Sequence, residues 1–252
     1  MLLTKYVLVH TWAIWLSCLH LTKADQEVQA VGKILSQCKK KSPHFDSCMK
    51  RAFNELRPFF KRGIPELGVA PFDPHFARQV KQKRSFFGLQ YTLILRNVYE
   101  RGWTQSTVTN FTTDRDNANI IYSQYFPEKS LDGQYEFKSD MLGESLERAG
   151  GWNMTLRDYS QTTRVRRRGR GAGAGLDVRV EIDHIGDMDL HIGNLLKGKT
   201  TLERWLDSLI NASWKPGFVV VRPAINDLVS TAFTNIWSKS FKKVHIEDFF
   251  TD

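Results

Sequence analysis

This sequence predicts an α+β fold in which a curved antiparallel β-sheet wraps around one long C-terminal α-helix. Three observations carry that prediction. Phe218, Val221, Ile225, Leu228, Val229, Ala232, Phe233, Ile236 and Trp237 recur at the spacing of one helix face, while Asn226, Asp227, Ser230, Thr234 and Lys239 take other positions. Five segments upstream alternate apolar and polar residues with period two. Finally, a helix from Gly217 to Phe241 would run roughly 37 Å at about 1.5 Å per residue, the width of a domain this size. Most of the remaining chain must therefore cover it.

Taken in order, residues 1–24 read as a secretory leader. Lys5 precedes an apolar run around Val7–Leu21, and Thr22-Lys23-Ala24 places a cleavage point after Ala24. His10, Ser17, Cys18 and His20 interrupt the run, which is short for a spanning helix, and this argues against a membrane anchor. Residues 25–252 are then expected to form a single secreted domain with one well-buried core. The whole chain is basic, with a formal net charge of +9. Export leaves Cys38 and Cys48 in an oxidising compartment, where pairing closes a short loop worth somewhat under ~3 kcal/mol in the chain-entropy picture. Cys38, His44 and Cys48 are too few ligands for a metal, so no metal is expected there. Asn110-Phe-Thr, Asn153-Met-Thr and Asn211-Ala-Ser are glycosylation sequons, in keeping with export.

Val28, Val31, Ile34 and Leu35 give a first helix over Glu27–Gln37, and Met49, Ala52, Phe53, Leu56, Phe59 and Phe60 give a second. The cysteines staple the end of one to the start of the next. Pro58, Pro65, Pro71 and Pro74, with Gly63 and Gly68, exclude regular helix and predict an extended, pinned crossing. Strands follow at Leu89–Arg96, Tyr135–Met141, Trp152–Arg157, Leu176–His184 and from Asp187 to Leu196, each with one wet and one apolar face. The long helix region opens at Thr201 with Leu202, Trp205, Leu206, Leu209 and Ile210 on one face. It breaks at Ser213–Gly217, and Pro223 predicts a bend. Patterning alone does not distinguish a solid core from a lined tube, and a packed core is the default expectation.

Arg164, Arg166, Arg167, Arg168 and Arg170 crowd together ahead of Gly-Ala-Gly-Ala-Gly, a composition that predicts a solvated, mobile loop between strands. Functionally it would serve as a foothold on an anionic membrane or glycosaminoglycan, or as a processing point for a protease favouring paired arginines. Nucleic acid is not expected, because no aromatic residues interleave the run. Asp187, Asp189 and His191, near Asp183 and His184, read as a solvated strand face rather than a cation site. No G-x-S-x-G occurs and no cysteine nucleophile remains after pairing, so no catalytic residue is identified and an esterase is only a minor alternative.

Several motifs in order resemble the insect haemolymph juvenile-hormone-binding and takeout family. They are the leader followed by Cys38 and Cys48, Arg57-Pro58, Gly63-Ile-Pro-Glu-Leu-Gly68, Pro71-Phe-Asp-Pro74, Leu131-Asp-Gly-Gln-Tyr135, Asn194-Leu-Leu-Lys-Gly198, and the ending from Phe241 through Phe250. The resemblance spans essentially the whole chain after the leader. Lys138–Leu146 departs from the family's glycine-rich hairpin, and Arg164–Gly175 reads as an insertion. The resemblance implies an elongated, barrel-like tubular lipid-binding domain, secreted into haemolymph, carrying a terpenoid such as juvenile hormone or another lipid in an apolar tunnel. It further implies a monomer with no cofactor and no enzymatic activity, linked to hormone, feeding or circadian signalling. On this reading the sheet would line the tunnel with Tyr91, Leu93, Leu95, Tyr135, Phe137, Trp152, Met154, Val180, Ile182, Leu190 and Ile192. The helix would add Ile225, Val229, Phe233, Ile236 and Trp237, and Tyr91, Tyr135 or His184 would read the ligand's polar head.

Overall fold

The period-two runs mark only the middles of strands that are much longer. A computed structural model describes residues 23–65, 69–86, 89–114, 119–141, 144–168 and 175–240. Helices α1 (Lys23–Ser36) and α2 (Phe45–Glu55) come first, stapled by the Cys38–Cys48 disulfide. Of the expected leader, only Lys23 and Ala24 fall within the described residues, where they open α1. Asn54 stitches α2 to the sheet: its side chain accepts from the Val108 amide at 2.9 Å and donates to the Val108 carbonyl at 3.0 Å.

The proline-rich crossing is less extended than predicted, because Arg57–Lys61 forms a short 3-10 turn with Pro58 in its first positions. No intrahelical N–H is needed there, so proline fits. Gly63 (φ +70°) then turns the chain where a β-carbon would meet the Val69 carbonyl oxygen. Asp73 ties the crossing to the turn at Gly102–Gln105, accepting from the Thr104 amide at 2.8 Å and the Thr104 hydroxyl at 2.6 Å.

Six strands follow: β1 (His75–Phe86), β2 (Leu89–Arg101), β3 (Thr107–Thr113), β4 (Asn119–Met141), β5 (Glu144–Arg168) and β6 (Gly175–Ile192). They pair antiparallel in the order β1-β2-β4-β5-β6, with β3 on β4, and the sheet does not close on itself. β1 and β3 carry no clean alternation and were not foreseen, and the last two predicted strands fuse into β6. The expected basic loop is also corrected. Arg164, Arg166, Arg167 and Arg168 continue the β5 ladder against β6, leaving only Arg170 beyond it, outside the described residues. Alternation explains this: Val165 points inward and is buried, while Arg164 and Arg166 stay in water, so the charges do not oppose the strand.

Edge strands β1 and β6 would leave backbone groups unpaired, and the helix α3 (Thr200–Ser240) lies against both. Along β6, the amides of Val178, Val180 and Ile182 donate to the side chains of Thr234 (3.1 Å), Ser230 (2.9 Å) and Asn226 (3.2 Å). Farther on, the amides of Leu190 and Ile192 donate to Asn211 (2.9 Å) and Asp207 (3.5 Å). At β1, Gln82 donates to the Ala224 carbonyl at 2.9 Å, and Arg84 pairs with Asp227 at 2.7 Å. That pairing holds the Asp227 carboxyl below its usual range.

The break foreseen at Ser213–Gly217 is a kink within one helix. Ser213 has non-helical dihedrals (φ −128°, ψ 17°), and Pro216 just beyond it removes a backbone donor. Pro223 lies farther along the same helix, where the dihedrals remain helical. Nor does the sheet cover all of α3. Trp205 is 65% exposed and Leu202 and Leu209 also face water, leaving Leu206 and Ile210 half-buried.

Ser230→Ala is expected to cost about 1–3 kcal/mol, because it leaves the Val180 amide unpaired at the seam. Ser208→Ala, an exposed hydroxyl on the same helix, should change stability by less than about 0.5 kcal/mol. Urea midpoints with unchanged slopes check both.

Candidate functional site

Between the sheet and the second half of α3 lies a cavity of about 500 Å³. Of the residues expected to line a tunnel, Leu93, Leu95, Tyr135, Phe137, Trp152, Met154, Ile182, Leu190 and Ile192 border this space from the sheet, and Ile225, Val229 and Phe233 border it from α3. Val80, Val98, Leu131, Leu156, Ile185, Met188 and Phe218 also line it and were not foreseen.

Other predicted residues go elsewhere. Tyr91 lies outside the lining, stacked on Phe137 with ring centroids 5.7 Å apart, and its hydroxyl donates to Gln82 at 3.1 Å. Val180 is buried in the core at the α3 seam. Trp237 packs against Tyr122, ring centroids 6.3 Å apart, in the solid half of the interior. The Ile236 side chain lies outside the described residues. The interior is thus divided. Trp103, Phe111, Tyr122, Phe126 and Trp237 fill the end near α2 and β3, while the other end is hollow. Burial pushes the Tyr122 hydroxyl pKa up to about 12 and the Tyr159 hydroxyl pKa higher still.

At the junction stands a polar group that sequence patterning did not single out. Lys129 and Glu100 both line the cavity and pair at 2.6 Å, with the Lys129 side chain only 3% exposed. The Lys129 ammonium also donates to Gln161 at 3.2 Å and sits 4.4–5.9 Å from the ring centres of Phe126, Trp103, Tyr159 and Phe233. Cation–π attraction and the carboxylate together compensate the lost hydration. His75 lines the same end, 9% exposed, with its Nε2 buried and without a partner. Burial first, and Lys129 last, lower its pKa, outweighing the opposing pull of Glu100 and a Pro71 backbone bond.

Lys129 was legible, because extending the alternation of Tyr135 and Phe137 back along β4 puts it on the inner face. Glu100 was not. A bulge between Arg96 and Tyr99 shifts the phase of β2 and turns Val98 and Glu100 inward. A similar irregularity between Ser160 and Gln161 corrects the reading of His184. Ile185 takes the inner position, while His184 points out and pairs with Asp158 at 3.1 Å. Tyr135 reaches the cavity, but its hydroxyl donates to the Gly193 carbonyl at 3.0 Å, and burial raises its pKa.

The outer acidic residues are separately engaged: Asp187 and Asp189 by Arg157 at 3.1 and 2.7 Å, Asp183 by Thr162, and His191 by Asp207. Among the described residues no group of three or more His, Cys, Asp or Glu could hold a metal ion, and no helix is long and apolar enough to cross a membrane. Asn110 and Asn153 are exposed on strands, whereas the Asn211 amide nitrogen donates to the Leu190 carbonyl at 3.2 Å.

Residues 14–251 match the family model of haemolymph juvenile hormone binding protein. Takeout 1 of Epiphyas postvittana superposes with a TM-score of 0.61 at 18% identity, covering 86% of this chain and all of that one, which shows a shared fold. Lipopolysaccharide binding protein aligns at 11% identity over 79% of this chain and 38% of its own, but a TM-score of 0.28 carries no argument. No curated protein matches the sequence.

Lys129→Met is expected to cost about 3–5 kcal/mol, because it strands the Glu100 carboxylate in an apolar wall. The double variant Lys129→Met/Glu100→Leu should recover most of that loss. A double-mutant cycle of denaturant midpoints checks the coupling.

Proposed function

The chain belongs to the haemolymph juvenile hormone binding protein family, and from that membership we propose that it is a secreted carrier holding one small lipophilic ligand between the sheet and α3. The observation that carries this reading is the cavity itself. It has an almost wholly hydrocarbon lining, and its volume of about 500 Å³ lies within the ~300–1,000 Å³ of small-molecule sites. Its polar groups are few: Lys129, Glu100 and His75 stand together, and the Tyr135 hydroxyl and Trp152 indole nitrogen lie elsewhere in the wall, enough to orient an apolar molecule. The carrier is a binding protein rather than an enzyme, works as a monomer and needs no cofactor. A terpenoid, juvenile hormone included, is one class of ligand that suits such a lining.

A second reading, docking on an anionic membrane or glycosaminoglycan, draws on the far end of β5 and β6. There Arg164 stands directly opposite Arg179, and the Arg179 side chain is 76% exposed. Like charges in register cost sheet stability; Glu181 at 3.9 Å from Arg164 and Asp177 at 3.9 Å from Arg179 offset part of that cost, and a bound polyanion would offset more. Arg164→Ser/Arg179→Ser should abolish salt-sensitive sedimentation with phosphatidylserine vesicles and leave ligand binding unchanged; salt-insensitive sedimentation would end this reading.

For the carrier, displacement of a fluorescent apolar probe by straight-chain alcohols should tighten about fourfold per added methylene, at ~0.8 kcal/mol each, until the chain outgrows the cavity. Ala232→Phe, which fills part of the lining, should shorten the best-bound chain. Affinity independent of chain length would contradict an enclosed apolar site.

A further inference from the structure

We propose that the first half of α3 is a docking face for a lipid bilayer with anionic headgroups, on which it lies through Leu202, Trp205 and Leu209. The inference goes beyond the carrier reading, and its surface is not the arginine face of β5 and β6. Ahead of the kink the helix is amphipathic in the inverted sense. Glu203, Asp207 and Asn211 stand at i, i+4 and i+8 and turn inward. Glu203 accepts from the Leu196 and Gly198 amides at 3.0 and 3.2 Å, Asp207 pairs with His191, and Asn211 accepts from the Leu190 amide. Leu202, Trp205 and Leu209, at i, i+3 and i+7, are exposed, with Leu206 and Ile210 half-buried between the two stripes. At about 100° per residue the stripes lie nearly half a turn apart. A helix on a protein surface ordinarily turns its apolar stripe to the core, and one turned outward marks an interaction site.

The apolar surface resumes past the kink at Val219, which is 72% exposed, Val220 and Val221. There it adjoins the lipophilic interior: Phe218 lines the cavity, and the Trp214 ring packs edge-on against it with centroids 6.1 Å apart.

Charge decides what covers this face. From residue 195 to 223 the exposed charged side chains are Lys197, Lys199, Arg204, Lys215 and Arg222, all of them cations. Both acids of the stretch, Glu203 and Asp207, are the ones turned inward. On the adjoining strand β6, Asp187 and Asp189 are held by Arg157. A second copy of the chain would set cations against cations, whereas an anionic bilayer neutralises them and takes up the apolar stripe together. Tryptophan is the side chain suited to headgroup level. The helix lies on such a surface rather than crossing it, since among the described residues no helix is long and apolar enough to span.

Trp205 is the one exposed tryptophan among the described residues, which makes insertion readable. On vesicles of phosphatidylcholine and phosphatidylserine, acyl-brominated lipid should quench the tryptophan emission of the full chain. Trp205→Leu should still sediment with the vesicles but lose most of that quenching. Trp205→Ser/Leu209→Ser should bind about thirtyfold more weakly, with its urea midpoint unchanged. The wild-type quenching stands by itself if a variant does not fold. Sedimentation without quenching, abolished by Arg164→Ser/Arg179→Ser, would assign the contact to β5 and β6 and overturn the α3 face. Failure to bind vesicles overturns it too, as does a dimer that Trp205→Ser/Leu209→Ser disperses. In every case the alcohol series still tests the carrier separately.

Discussion

The seam between α3 and the open edges of the sheet is the interaction on which the rest of the structure depends. A six-stranded sheet that does not close leaves the backbone of β1 and β6 in need of partners. Here a helix supplies them with side chains. Residues four apart on α3, Asn226, Ser230 and Thr234, meet residues two apart on β6, Ile182, Val180 and Val178. The match is one of pitch: about 6.0 Å for four helical residues and about 6.8 Å for two strand residues. Asp207 and Asn211 repeat the same step against Ile192 and Leu190 on the far side of the kink. The kink at Ser213 lies between the two runs of contacts.

Because α3 is held by its polar stripe, its apolar stripe is free to form the roof of an interior that need not be solid. Bulky rings fill one half, where α2 and β3 pack against the sheet. The other half lacks an equivalent plug and remains a cavity. At the boundary the ion pair of Lys129 and Glu100 is stabilised by four aromatic faces and Gln161, and it gives the hollow half a polar end. His75 adds to that end the one imidazole in the lining. The packed half thus serves the hollow half by holding charged groups where water cannot compete for them.

Much of the fold was legible because its signals are local. Tyr135, Phe137, Trp152, Met154 and Ile182 fell on the inner face by simple alternation, and Ile225, Val229 and Phe233 by helical period. The disulfide followed from the two cysteines, Cys38 and Cys48, that lie beyond the expected leader in a chain read as exported. β1 was missed because its partners on α3 call for Gln82 and Arg84 where an apolar pattern would show Leu or Val. His184 and Glu100 were misplaced or missed for one reason: a single extra residue in a strand reverses every face beyond it. The arginines of β5 looked like a loop because charge density is a property of composition, whereas pairing with β6 is a property of register.

Composition and periodicity by themselves determined that one long helix and an antiparallel sheet share an apolar interior. Local spacing decides which face of each element avoids water. Only the tertiary structure decided that this interior is half empty, which residues border the space, and that Lys129, Glu100 and His75 converge there. These depend on where bulges fall and on how far a helix stands off from two strand edges, and both are set by contacts between residues far apart in the chain.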